Sequence, residues 1–295
     1  MKSPLTLSIV TATYNQSKYI SQCIKSVISQ EGNFYIDYII INDGSTDDTA
    51  SVIEKYDVTL KNGQWPVKCM GVEYRFVHRQ NGGQASALND GFRMAHGDIF
   101  AWMNSDDYYL PGAFQVVAKV FEEDPELDFI YTDCLKIYAN GRPSSIEPRP
   151  RPNETFESIR TRGSSFSLNF FTKHILEKTG YLNESLKYCI DLDQWYRIFQ
   201  VAKVKYVPYT AGAFRWHPLS KTATSQKKFA EERGILAKRY GGNIIPSRKI
   251  YKFRGKMKIL DVMKQRFPKI YGVLKKIFYK IVDSFKYRNN PSSNL

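Results

Sequence analysis

Apolar positions follow two alternating rhythms through the first hundred residues. Leu5–Thr13 (LTLSIVTAT) is a β-branched run that reads as a buried strand. After YNQS, the residues Ile20, Cys23, Ile24, Val27 and Ile28 keep i, i+3, i+4, i+7 spacing, one face of a helix. Ile36–Asn42 (IDYIIIN) is a second buried strand. It stops at DGSTDD, where Ser45 or Thr46 can cap a helix carrying Val52, Ile53 and Tyr56 on one face. LKNGQWPVKCMG reads as a looped insertion. A strand VEYRFVHR, a Gly-Gly turn, a short helix QASALNDGFRMAHG and a strand DIFAWMN follow. Strands alternating with helices predict an α/β protein with a mostly parallel, doubly wound sheet.

Beyond Asp107 the rhythm changes. Pro111 suits the first turn of a helix GAFQVVAKVFEEDP. LDFIYTDCLKIYANGRP predicts a strand running into an Asn-Gly turn, and the Pro/Arg-rich RPSSIEPRPRPNET a loop. FFTKHILEKTG predicts a helix ending at Gly180. DLDQWYRIFQVA places Leu192, Trp195, Tyr196 and Phe199 on one helical face, and VKYVPYTAGAFRWHPLSKTATS adds one or two strands and a polar loop. The expected boundaries are residues 1–107, 108–245 and 246–295.

Charge divides the chain unevenly. Net charge is +14, and from Arg248 onward fourteen basic residues face only Asp261 and Asp283. The rest is close to neutral, which argues against a nucleic-acid-binding body. In the basic segment, Ile270, Val273, Leu274, Ile277, Phe278, Ile281, Val282 and Phe285 recur at helical spacing with lysines between them. That is the profile of an amphipathic helix lying on an anionic membrane surface, or of one docking on protein with its lysines solvated. No apolar run reaches the roughly 20 residues that span a bilayer, and the N-terminus carries no secretory pattern. Cys23, Cys69, Cys134 and Cys189 are scattered without a C-x-x-C pair, so reduced thiols in the cytoplasm are expected.

Three predicted strands end in polar chemistry: TATYN, INDGSTDD and MNSDD. In an open parallel sheet, ligands bind beyond those strand ends. The adjacent Asp106 and Asp107 can hold a hard divalent cation with diphosphate oxygens completing its shell, or simply terminate a strand in water.

Read in order, SIVTATYNQSKYISQCIKSVISQ, YIIINDGSTDDT, NGGQASALNDGFRMAHGDIFAWMNSDD, GYLNESLKYCIDLDQW and FRWHPLSKT resemble the motifs of family 2 glycosyltransferases, inverting enzymes with a GT-A fold. The resemblance implies a nucleotide-sugar donor, UDP-linked in the first instance, and a Mn²⁺ or Mg²⁺ ion. It places Thr11, Tyr14 and Asp43 at the nucleotide base, with Gln84 and the Gly82–Gly83 turn lining the same pocket. Asp106 falls at the ribose or a metal-bound water, and Asp107 at the metal. In the FRWHPLSKT loop, Arg215, Ser220 and Lys221 fall near the donor diphosphate, with His217 as metal or phosphate contact or as an ordinary loop histidine. The aligned catalytic base is Asp191, with Asp193 in reserve; the Glu usual before that Asp is Ile190 here. Asp191 and Gln194 also match a capping box. The acceptor implied is a glycan or polyprenyl-linked glycan of surface polysaccharide or glycolipid synthesis, at the inner face of the cell membrane. A nucleotidyltransferase, or a non-enzymatic basic membrane-binding protein, would share some of these features. The first would more naturally carry a Gly-rich basic loop after the first strand, and TATYNQSKY is not one.

Overall fold

The computed structural model describes residues 3–147 and 168–240. The basic segment from Arg248, with its expected amphipathic helix, lies outside the described residues, as does most of the Pro/Arg-rich stretch. Residues 1–243 form one unit.

The first half follows the predicted rhythm. Strands β1 (Thr6–Thr13), β2 (Tyr35–Asp43), β3 (Gly71–Arg79) and β4 (Ile99–Trp102) run parallel in the order β3-β2-β1-β4. Their crossovers are α1 (Ile20–Ile28), α2 (Thr49–Lys61) and α3 (Gln84–Met94). β2 is buried along nearly its whole length because helices cover both faces. α1, α2 and, further on, α4 (Ala113–Glu123) pack on one face through Ile24, Ile53 and Phe114. On the other lie α3, α5 (Lys173–Thr179), α6 (Ile190–Phe199) and α8 (Gln226–Tyr240), joined through Leu88, Ile175, Trp195 and Leu236.

Past β4 the sheet is mixed rather than mostly parallel. β5 (Tyr108–Tyr109), β6 (Phe129–Tyr138), β7 (Pro143–Glu147), β8 (Asn169–Thr172) and β9 (Val204–Trp216) complete nine strands among the described residues. β8 runs antiparallel to both β4 and β6, β5 antiparallel to β9, and only β6 and β9 are parallel. The Asn-Gly turn forms, with Gly141 at φ +80°, and its second strand, β7, takes the first residues of the stretch expected to be a loop. The FRW part of the final motif belongs to one long strand; a short helix, α7 (Lys221–Thr224), follows.

Two helix starts differ from expectation. α2 begins at Thr49, where the Asp47 carboxylate accepts from the Thr49 amide at 3.1 Å and its hydroxyl at 2.5 Å. Ser45 and Thr46 instead lock the β1 and β2 loops together: Asn15 N–H donates to Ser45 Oγ at 2.9 Å and Thr46 N–H to Asn15 Oδ1 at 2.8 Å. Pro111 precedes α4, whose cap is Gly112 at φ +81°.

Candidate active site

β1, β2 and β4 deliver their C-terminal ends to one rim, as a parallel sheet must. Tyr14, just past β1, is 49 % exposed there and free to stack on a planar ring. Thr11, three residues earlier, is turned into the core instead, where its hydroxyl meets Tyr38 Oη at 3.2 Å. The period of two along the strand decides this: Thr11 shares its face with Ile9 and the α1 layer.

Asp43, at the end of β2, is buried and its carboxylate is occupied. Oδ1 accepts from Arg79 Nε at 2.8 Å and Gly82 N–H at 2.9 Å, and Oδ2 from Gly83 N–H at 2.8 Å. It holds the Gly-Gly turn that opens α3, and Gly83 at φ +92° is the conformation that turn requires. Beside this turn opens a groove of about 610 Å³ lined by Asn42, Ser45, His78, Arg79 and Asn81, among others.

Gln84, the first residue of α3, sits in a row of polar side chains. Lys221 Nζ donates to Gln84 Oε1 at 2.9 Å, Gln84 Nε2 to Asn104 Oδ1 at 3.0 Å, and Asn104 Nδ2 to Asp107 Oδ2 at 3.0 Å. Lys221 is exposed as a residue, yet loss of water around its ammonium lowers its pKa, against the opposing charges of Tyr188, Glu232, Asp106 and Asp43.

The two adjacent carboxylates have different surroundings. Asp107 is 2 % exposed, and its second oxygen accepts from Arg215 N–H at 2.7 Å. Burial first, and the Asp106 charge second, push its pKa well above the carboxylate range. Asp106 keeps its side chain 20 % exposed and pairs through Oδ2 with His217 Nε2 at 3.0 Å. β5 pairs with β9 directly after the carboxylates, Tyr108 facing Ala213, which brings His217 over Asp106. The approach is tight: a Cβ on Gly212 would lie 2.7 Å from the Tyr108 carbonyl oxygen.

Arg215 and Ser220, which the resemblance places near the donor diphosphate, both make contacts within the protein. The Arg215 guanidinium is buried, donating to the carbonyls of Asp106 (2.9 Å) and Ala139 (3.3 Å) and to Gln22 Oε1 (2.5 Å). It lies 4.9 Å from the Tyr19 ring centre, and its charge favours the ionised form of Asp107. Ser220 caps α7, accepting from Ala223 N–H at 3.3 Å.

Asp191 occupies the first turn of α6, half-buried, with Oδ1 accepting from Leu192 N–H at 2.8 Å. The capping box does not form: the cap position is Cys189, and Gln194 is fully buried with neither amide atom partnered among the described residues. Asp193 is buried in an ionic cluster with Arg197 Nε (3.1 Å), Arg239 Nη1 (3.3 Å) and Tyr240 Oη (2.8 Å). Two contributors escaped the sequence reading. Asn104 stood inside the NSDD motif but carries no charge to mark it. Glu232, on α8, accepts from three backbone amides ahead of α6, and a helical Glu 43 residues away carries no local signal of that contact.

The sequence model of Glycosyl transferase family 2 matches residues 8–176, more than half of the chain. An uncharacterized glycosyltransferase of Rickettsia prowazekii is 26 % identical over 238 residues, 78 % of this chain and 69 % of its own. A chondroitin synthase of Pasteurella multocida is 30 % identical over 202 residues, 68 % of this chain but only 20 % of that much longer protein. Among solved structures, S. aureus TarS 1-349 in complex with UDP-GlcNAc superposes with a TM-score of 0.60 at 18 % identity, covering 77 % of this chain and 64 % of that one. Mannosyltransferase PcManGT from Pyrobaculum calidifontis, in complex with GDP-Man and Mn²⁺, gives 0.57 at 16 %, covering 97 % and 82 %. These structural likenesses establish the GT-A fold.

Proposed function

Because the chain belongs to glycosyl transferase family 2, we propose that it moves a sugar from a UDP-linked donor to a glycan or lipid-linked acceptor hydroxyl, with inversion and with a divalent ion. The observation that carries this reading is the meeting of Asp106 and His217 at the strand-end rim, the rim on which the exposed Tyr14 also lies. The donor types come from the TarS and PcManGT complexes, and the polysaccharide acceptor from the synthase relative.

The donor set fits a metal ion. Asp106 is partly exposed and has one carboxylate oxygen without a hydrogen bond among the described residues, and the neighbouring imidazole can offer nitrogen. Mn²⁺ accepts such a mixed O/N pair, with nucleotide oxygens and water for the remainder. Asp106 and His217, rather than the enclosed Asp107, would hold it. Once bound, it supplies Lewis-acid stabilisation of the leaving diphosphate.

The chain's own residues do the rest. Tyr14 stacks on the base, and the Lys221 ammonium offers its charge to the diphosphate. Asp191 takes the acceptor hydroxyl proton while that oxygen bonds to the anomeric carbon. The carbon–oxygen bond to the diphosphate breaks on the opposite face, and its electron pair leaves with the nucleotide. The membrane setting of the acceptor is supported by the amphipathic lysine-rich sequence after Pro268 alone. No helix among the described residues is long and apolar enough to cross a bilayer.

Thermal unfolding with UDP, dTDP and GDP, each with and without Mn²⁺, tests the reading. Stabilisation by UDP that requires Mn²⁺, and that Asp106→Ala removes, is the expected result. No response to any nucleotide would sink it, and release of pyrophosphate instead of UDP from a UDP-sugar would move the chain to nucleotidyl transfer.

A further inference from the structure

The first turn of α6 bears Asp191, but nothing in the helix's own sequence caps it: Cys189 stands at the cap position and makes no side-chain cap bond. The acceptor comes from α8. Glu232 Oε1 accepts from Lys187 N–H at 2.8 Å, and Oε2 from Tyr188 N–H and Cys189 N–H, each at 2.8 Å. Three consecutive amides converging on one carboxylate form an anion nest, filled here by a side chain of the same molecule. Charge-assisted bonds of this kind are shorter and stronger than neutral ones.

The same strip is gripped around Glu232. Phe229 packs edge-on against Tyr188, with ring centres 5.2 Å apart, and its carbonyl accepts from Cys189 Sγ at 3.6 Å. Lys221, whose main contact is Gln84, also reaches the Lys187 carbonyl at 3.5 Å. Residues 187–189 are therefore tied to the donor side by Lys221 and to α8 by Glu232. Asp191 follows two residues later.

We propose that Glu232 is a positioning residue for sugar transfer, orienting the 187–189 backbone and through it the Asp191 carboxylate. The proposal rests on Asp191 being the base. The bound amides lie ahead of the helix rather than inside its first turn, so the carboxylate sets the direction in which the chain enters α6. A displacement of about 1 Å at a reacting group costs on the order of 10²-fold in rate, so a loosened entry strip is read directly in turnover.

The test compares Glu232→Ala and Glu232→Gln with the unaltered full chain. Amide hydrogen exchange is followed at Lys187, Tyr188 and Cys189, and UDP release from UDP-GlcNAc with Mn²⁺ gives kcat and KM. In Glu232→Ala the three amides exchange at least about tenfold faster and kcat falls at least about tenfold, while donor KM and the Mn²⁺–UDP thermal shift stay within about twofold. Glu232→Gln, which keeps one oxygen acceptor, falls between. Exchange at the original rate overturns the proposal, as does faster exchange with unchanged kcat, or a loss shared equally by kcat, KM and UDP binding. If the unaltered protein releases no UDP, the donor reading has failed independently, and the amide exchange still decides whether Glu232 holds the strip.

Discussion

Asp106 and Asp107 are chemically identical neighbours with opposite surroundings. Asp107 accepts from Arg215 N–H and Asn104 Nδ2 inside the protein, whereas Asp106 shares the rim with His217. Truncating Asp107 leaves one buried and one half-buried donor unpaired, costing about 1–3 kcal/mol for the buried one and a smaller amount for the other, less the relief of Asp106–Asp107 repulsion. Asp107→Ala is therefore expected to lose about 2–4 kcal/mol in urea unfolding, while Asp106→Ala, on the rim, loses little stability. Equal losses would contradict the division of roles. The sequence announced that the pair mattered but not which member faced outward. That depends on where β9 lands after β5, a long-range pairing with no local trace. Thr11 shows the same limit: its residue type suits a nucleotide, and its strand parity sends it to the core.

At the level of elements, α6 combines an entry strip held from α8 with an internal cost. Gln194 buries a whole amide without a partner among the described residues. An unbranched apolar side chain of similar length fills the space without desolvating a polar group. Gln194→Met is expected to stabilise the protein by about 1–3 kcal/mol, seen as a higher Tm; a lower Tm would mean that the amide is satisfied in solution. The parallel half of the sheet was legible because β1, β2 and β4 are continuous apolar runs separated by helical spacing. Strand direction in the second half was not, since an alternating run looks the same read parallel or antiparallel. β8 accordingly enters between β4 and β6 against the direction of both. The start of α2 differs from its local signal because Ser45 and Thr46 are taken up by Asn15.

Across the whole molecule, the described residues have one sheet with helical layers on both sides, and the thiols report on its integrity. Burial pushes Cys23 and Cys189 up to about 12. At pH 8 such a thiol is ionised about once in 10⁴ molecules, against about one in ten for an ordinary one, and only the thiolate reacts. In the folded protein Cys69, which is half-buried, is expected to react first with a disulfide reagent, while Cys23 and Cys189 become reactive only along the unfolding transition. Labelling of Cys23 at a free-thiol rate before unfolding would contradict the packing of α1 on β1. The five-motif order spoke for the family before any geometry did; the links that carry the site between motifs, Glu232 to residues 187–189 and Lys221 to Gln84, join distant segments and appear only in the folded chain.

The amides between Lys221 and Asp107 can be threaded in one sense only, with carbonyl oxygens toward the lysine and NH₂ groups toward the buried acid. A phosphate that draws off the ammonium therefore uncovers a ready acceptor at Gln84, suited to a sugar or ribose hydroxyl, and no side chain behind it has to turn round. Were the proposed donor to bind there, one visitor would replace another at the mouth of the row without reversing any bond behind it.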